Sequence, residues 1–279
     1  MVLLEGKSVV QKKEEELMRL SDELIEKFSR VPKLSILAMN DDLASNSYVN
    51  KIKKVCSKFK IEVEYNNFND ESKFLEYAMK VNEDDSVTSI MFQEPLPKKL
   101  KAVIEKIDYR KDVEGINSKN LGNLFLNNDE KIVPCTAKAI TDILDYYGIV
   151  IEGKKIVILG RSNIVGKPLA LELIARNGTV TLCHSKTSNV GQETKNADIV
   201  VVAIGKPNYL KAENIKVGAF VIDVGINFVD GKIVGDVDFE SSKGKVAAIT
   251  PVPGGVGVVT NYCLVENILK TFKLQNKRK

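Results

Sequence analysis

The stretch "IVILGRSNIVGKPLALELI", Ile156–Ile174, decides the fold. A run of apolar residues stops at Gly160, a short polar loop follows, and a helix-period segment opens at Gly166. That is a strand, a tight turn and a helix. Gly160 stands where the backbone must turn sharply. Gly166 stands where the helix starts and a side chain would block the close approach of an anion. The helix N-terminus offers free N–H groups and the positive end of its dipole to a phosphate. The glycine spacing is G-x-x-x-x-x-G, not G-x-G-x-x-G, and no Ser or Thr follows Gly166-Lys167. The generic dinucleotide and triphosphate loops are therefore not met, and a plain strand-to-helix turn competes with a phosphate site.

The next strand discriminates between cofactors. It ends "VTLCHSKT", Val180–Thr187, with Ser185 and Lys186 and no carboxylate. A site selective for NAD usually carries Asp or Glu there, to bond the ribose hydroxyls. Arg161 in the preceding loop reaches the same region, and a cation with a hydroxyl suits a 2′-phosphate, which favours NADP. His184, the one histidine of the chain, sits at this adenosine end, away from any hydride.

On both sides of this unit, apolar runs of strand length alternate with helix-period segments. "LSILAM", "IEVEYN" and "SVTSIMF" are each followed by a helical pattern, the last by "KKLKAVIEKI". After Pro134 come "AKAITDILDYYG", the loop unit itself, "TVTLCHS", "ADIVVVAIG", "GAFVIDVGIN" and a final helix, "NYCLVENILKTFK". The rhythm predicts an α/β protein with parallel sheets and ligands at the C-terminal ends of the strands.

Composition agrees with a soluble globular protein: 279 residues, 44% hydrophobic, 28% charged, net charge +4. The charge is dispersed except in the closing "KLQNKRK", which reads as a solvated end rather than a nucleic-acid contact. No apolar run approaches the ~20 residues of a membrane span. The amphipathic start, "MVLLEGKSVVQKKEEELMRLSDELIEKF", is not a targeting peptide. Cys56, Cys135, Cys183 and Cys263 are widely spaced and form no C-x-x-C pair, a pattern that argues against a zinc site or disulfide framework and fits the reducing cytoplasm.

"SNSYVNKIKKVC", Ser45–Cys56, carries Tyr48, Val49, Ile52, Val55, Cys56 and, beyond it, Phe59 on one helical stripe, with Lys53 and Lys54 facing away and Lys51 beside it. Together with "QEPLP", "KDVEGINSKNLG", "PCTAKA", "VGDVDF" and "ITPVPGGVG", and with the cofactor segments above, this stretch resembles the methylenetetrahydrofolate dehydrogenase/cyclohydrolase family, in order, from near Leu3 to about Thr271. The resemblance implies two α/β domains flanking a cleft, the second a Rossmann-like nicotinamide-binding domain, and a homodimer formed through that second domain. It assigns residues 1–137 with 265–279 to a folate-binding catalytic domain and 138–264 to an NADP-binding domain. It implies oxidation of methylenetetrahydrofolate with NADP, then hydrolysis of the methenyl cation to 10-formyltetrahydrofolate. Gly160, Arg161, Ser162, Gly166, Ser185 and Ile226 would hold the cofactor, Ile226 lining the nicotinamide pocket. Tyr48, Ile52, Gln93, Glu114, Pro253, Gly254, Gly255 and Gly257 would meet the folate, with Tyr48, Gln93 and Glu114 nearest the chemistry and bare glycine letting the flat rings approach. No metal is implied.

The chain departs from the family's pattern around the folate. Ile52 stands where the family's Tyr-Val-x-x-Lys helix has its catalytic lysine. Glu114 replaces an aspartate, Glu94 adds a charge beside Gln93, and Val258-Val259 replaces Pro-Met. Hydride transfer moves no proton and survives such a loss. Hydrolysis needs acid–base help, typically worth 10²–10⁴-fold. The expectation is a dehydrogenase whose cyclohydrolase activity is weak or lost. The alternatives are a bifunctional enzyme using Lys51 or another group as base, and a non-catalytic NADP- or folate-binding protein.

Overall fold

The structure, a computed structural model, describes residues 1–39 and 43–276. The basic end of the chain, Lys277 to Lys279, lies outside the described residues. In chain order the elements are Val2–Leu3 (β1), Gly6–Phe28 (α1), Lys33–Ala38 (β2), Leu43–Ser57 (α2), Glu62–Asn67 (β3), Glu71–Glu83 (α3), Ser89–Phe92 (β4), Ser118–Phe125 (α4) and Cys135–Tyr146 (α5). They continue as Lys155–Leu159 (β5), Gly166–Ile174 (α6), Thr179–Cys183 (β6), Val190–Lys195 (α7), Ile199–Val202 (β7), Phe220–Asp223 (β8), Asn227–Val229 (β9), Lys232–Val234 (β10), Phe239–Ser242 (α8), Ala248–Ile249 (β11) and Val256–Asn276 (α9).

The chain divides into two compact units. One holds residues 1–12 and 136–260, the other 13–135 and 261–279. Sequence reasoning places the first twelve residues with the folate-binding part. They pack with residues 136–260, whose sheet β1 extends, Val2 and Leu3 pairing with Ala248 and Ile249 of β11. Two residues are too few to show a strand period, so the sequence carries no sign of this strand.

The larger sheet has the order β1-β11-β8-β7-β5-β6 and is parallel throughout. Val157, Val200 and Val221 are buried in its core, the composition expected of parallel strands covered on both faces. The chain reverses its direction of progress across the sheet at β5, which lies between β6 and β7. Open α/β sheets hold their ligands beyond the strand ends at such a point. Asn227–Val229 and Lys232–Val234 form a separate antiparallel hairpin.

The other unit has a three-stranded parallel sheet, β3-β2-β4. Its core includes Leu37, Phe74, Ile90 and Phe92. Asp70 caps α3 by accepting the Lys73 N–H at 2.8 Å. The "KKLKAVIEKI" segment is a 3-10 helix over Lys98–Glu105 rather than an α-helix. Three residues per turn put Leu100 and Val103 on one buried face. The apolar stripe of α2 is as read: Val49, Ile52, Cys56 and Phe59 are buried, and Lys51, Lys53 and Lys54 are exposed.

Candidate functional site

Beyond the ends of β5, β6 and β7 lies a cavity of about 300 Å³. Gly160, Arg161, Ser162 and Ser185 all line it. Gly160 adopts φ +121°, and a Cβ there would meet the Ala203 carbonyl oxygen at 2.3 Å, so the end of β5 turns against β7 only as glycine. The Ser162 hydroxyl accepts the Val165 N–H at 3.1 Å, which shapes the loop before α6. His184 also lines the cavity, and its Nδ1 accepts the Lys186 N–H at 3.1 Å, so this imidazole braces the turn that carries Ser185.

Gly166 has another reason than the one read from sequence. A Cβ at this position would lie 1.9 Å from the Gly160 carbonyl oxygen. The residue is bare because the loop folds back onto its own strand end, and it is buried rather than lining the cavity. Sequence reasoning also missed the third wall, Ala203, Ile204, Lys206 and Tyr209. Its signal was "AIGKP", a glycine turn directly after a buried strand. None of the lining residues is acidic.

Ile226 stands outside this cavity and is 61% exposed. It is beside Gly257, whose added Cβ would lie 3.8 Å from the Ile226 Cδ1. Pro253 follows a cis peptide bond. Gly254 has φ +115°, and a Cβ on Gly255 would crowd the Pro251 carbonyl oxygen at 2.7 Å. Backbone conformation thus holds Gly254 bare and crowding holds Gly255 bare, whereas Gly257 has neither a positive φ nor a close neighbour. Of the two valines after this loop, Val259 is buried and Val258 is 37% exposed.

In the second unit, the "KDVEG" loop is built from its own side chains. Lys111 is buried, and its Nζ donates to the carbonyls of Val81, Asn82 and Asp84 at 3.1, 2.8 and 2.7 Å, closing the C-terminal end of α3. Asp112 accepts N–H groups of Gly115 and Asn117 and the Asn120 Nδ2. From α9, the buried Asn267 donates to the carbonyls of Val113 and Val133, both at 2.9 Å. These three residues are structural and fix the backbone around Glu114.

Glu114 is half-buried. Desolvation pushes its carboxyl up to about 8, with repulsion from Asp112 and Glu94 adding to the rise and a backbone hydrogen bond from Phe92 opposing it. Burial raises Tyr48 as well, and Cys135 and Glu114 raise it further, so these three groups share one low-dielectric neighbourhood. Gln93 donates from Nε2 to the Glu94 carbonyl at 2.9 Å, and its buried Oε1 has no donor among the described residues. Such an orphan acceptor is costly unless a ligand completes it. Glu94 is exposed and ion-paired to Lys101 at 2.7 Å. Ile52, one turn from Tyr48 on α2, is 1% exposed.

Comparison with known proteins matches the chain to one family in two consecutive parts. A family model described as the tetrahydrofolate dehydrogenase/cyclohydrolase NAD(P)-binding domain matches residues 134–276, and the catalytic-domain model of that family matches residues 4–114. The bifunctional protein FolD of Acetivibrio thermocellus is 45% identical, over 99% of both chains. The crystal structure of the Campylobacter jejuni bifunctional enzyme FolD superposes with a TM-score of 0.93 at 40% identity, covering 98% of this chain and 99% of that one. The Trypanosoma brucei methylenetetrahydrofolate dehydrogenase-cyclohydrolase, complexed with NADP cofactor and inhibitor, gives 0.92 at 34% identity, over 99% of each. With both family models matched in order and relatives similar from end to end, the chain belongs to the tetrahydrofolate dehydrogenase/cyclohydrolase family.

Proposed function

We propose that the chain is an NADP-dependent methylenetetrahydrofolate dehydrogenase of one-carbon metabolism in which cyclohydrolase activity is weak or lost. The observation that carries the dehydrogenase reading is the convergence of Gly160, Arg161, Ser162 and Ser185 on one cavity whose lining has no carboxylate. A guanidinium and a hydroxyl suit the 2′-phosphate of NADP, whereas NAD selection calls for an acidic residue. The Trypanosoma brucei relative, which holds NADP, supports the same cofactor.

NADP supplies the hydride acceptor. The chain's residues bind and orient: the loop after β5 takes the phosphates, and Ile226 with Gly257 leaves an open face for a flat ring. Tyr48, Gln93 and Glu114 serve the folate, with Gln93 Oε1 free to accept from a folate N–H. Hydride loss leaves a cation that the substrate's own nitrogens stabilise, so this step needs proximity and a dry site rather than a base.

Hydrolysis needs a base, and Ile52 cannot be one. Burial of Ile52 and exposure of Lys51 support a weak second activity. The bifunctional names of the relatives favour the other reading, in which another group acts as base. Residues 13–135 with 261–279 would be the folate-binding part, and the rest the NADP-binding part. A homodimer through the latter is supported by the hairpin β9–β10, whose Phe228 is 76% exposed. The four free cysteines fit a reducing cytoplasm. No helix among the described residues is long and apolar enough to cross a membrane.

The test is to follow NADPH and methenyltetrahydrofolate absorbance together on purified protein given methylenetetrahydrofolate and NADP. Accumulation of both products is expected. NADPH without accumulating methenyl product means efficient hydrolysis and overturns the second half of the proposal; no NADPH overturns the first.

A further inference from the structure

Two buried aspartates lie behind the cavity without touching it. Asp223 ends β8, and Asp236 follows β10. Both are almost fully buried, at 3% and 0% exposure. Asp223 accepts the backbone N–H groups of Gly225, Asp236 and Val237 at 3.0, 2.9 and 2.9 Å. That fixes the backbone on which Asp236 sits. Asp236 in turn accepts three consecutive N–H groups, from Ile204, Gly205 and Lys206, at 2.7, 2.9 and 2.8 Å. Its fourth donor is the Asn227 Nδ2 at 2.9 Å, one residue after Ile226.

The packing leaves no slack. A Cβ on Gly235 would fall 1.9 Å from the Asp223 Oδ2, and one on Gly225 would fall 2.3 Å from the Asp236 Cγ. Each carboxylate occupies the space that a side chain on the other's loop would take. Three backbone N–H groups aimed at one carboxylate form an anion-binding concavity, filled here from within the chain. The segment it holds carries Ile204 and Lys206, which line the cavity.

We infer that Asp236 is a positioning residue for the dehydrogenase, its carboxylate clamping the Ile204–Lys206 wall of the cofactor cavity to the loop that carries Ile226. The inference rests on the reading of that cavity as the NADP site. It accounts for how the turn after β7 is held by contacts from a residue about thirty positions later. It also links the wall of the phosphate cavity to Ile226, so that a cofactor seated in one is aligned on the other.

The test uses the full chain with Asp236→Asn, which places an NH2 against N–H donors while keeping the size. NADPH binding is titrated by its fluorescence, tetrahydrofolate binding is the control, and backbone amide exchange is followed at Ile204, Gly205 and Lys206. The expected result is at least tenfold faster exchange at those three amides, at least tenfold weaker NADPH binding, and tetrahydrofolate affinity within twofold of wild type. Unchanged exchange, or NADPH affinity within twofold of wild type, overturns the inference. Asn227→Ala removes one donor of four and leaves the three backbone donors to Asp236 in place. It should lower kcat at least fivefold while leaving NADPH affinity within threefold, a split that a merely destabilised protein would not give; an unaltered kcat overturns the link to Ile226. Wild-type protein that binds no NADPH sinks the cofactor reading, which is distinct from a variant that binds as tightly as a competent wild type.

Discussion

Ile226 and Gly257 face each other across a gap that the sequence leaves open: a Cβ on Gly257 would reach the Ile226 Cδ1 at 3.8 Å, an ordinary van der Waals contact. Nothing in the chain's own packing forbids alanine there. Gly257→Ala should therefore fold, with stability unchanged or raised by up to about 1 kcal/mol, since glycine costs chain entropy near a helix start. If the bare position exists to admit a flat ring over Ile226, kcat should fall by one to two orders of magnitude, because a displacement of about 1 Å from the reacting geometry costs roughly that much. Steady-state rates and a melting curve on the same preparation decide it. A variant with native stability and native kcat would mean that the glycine serves no ring.

The proposed preference for NADP assigns the discrimination to Arg161. It is exposed and lines the same cavity as Ser185. A hydrogen bond to a charged group contributes about 1.5–3 kcal/mol, so Arg161→Met should weaken NADP binding by at least tenfold and leave NAD binding nearly untouched. Calorimetric titration with both cofactors is the measurement. Equal turnover of NADP and NAD by the unmodified protein would refute the assignment.

How far the sequence reached follows from what kind of signal each residue leaves. The β5–α6 unit was legible because strand and helix periods meet at Gly160 and Gly166, although the crowding that makes Gly166 bare is visible only in three dimensions. Ser185 and Arg161 were legible as a charge pattern at a strand end. Lys206 and Tyr209 were not, because they follow β7, and their approach to the loop after β5 depends on strand order. Asp223 and Asp236 lie in segments that the sequence marks out, but a buried carboxylate that accepts backbone N–H groups is indistinguishable, in one dimension, from a solvated one. The placement of β1 rests on two residues paired with β11, some 245 positions away, and no local period encodes such a contact.

Glu114 should give the protein a measurable pH signature. Its folded carboxyl is raised from 4.5 to about 8. A carboxyl raised in the folded state favours the protonated form there, so its contribution is fully present below the unfolded value, near pH 4.5, and is lost as pH rises through about 8. Glu114→Gln stays neutral at every pH. The variant and the wild type should thus match in stability below pH 4.5, and the variant should gain steadily up to pH 8, by on the order of a few kcal/mol, then hold that lead. Urea unfolding between pH 4 and pH 9 reads the difference. A gap that does not vary with pH would show that the carboxyl titrates normally. Glu114→Asp, shorter by one methylene, should change folate affinity or rate if the carboxyl meets the substrate.

Ile52→Lys tests the lost base directly. The position is 1% exposed on the stripe of α2 that carries Tyr48. An amine there enters an apolar surround, so its pKa should fall towards neutrality, as a working base requires, and the fold should lose on the order of a few kcal/mol from desolvation. The wild type should accumulate methenyltetrahydrofolate while reducing NADP. The variant should hydrolyse it about 10–100-fold faster, short of the full effect of a native base, because Glu114 was not shaped around a lysine and groups that act as a unit are not additive. Lys51→Met is the control: an exposed side chain on the outer face of α2 should leave dehydrogenase activity unchanged. Should the wild type hydrolyse methenyltetrahydrofolate well above the spontaneous rate, and Lys51→Met abolish that activity, then Lys51 is the base and the position of Ile52 is only core.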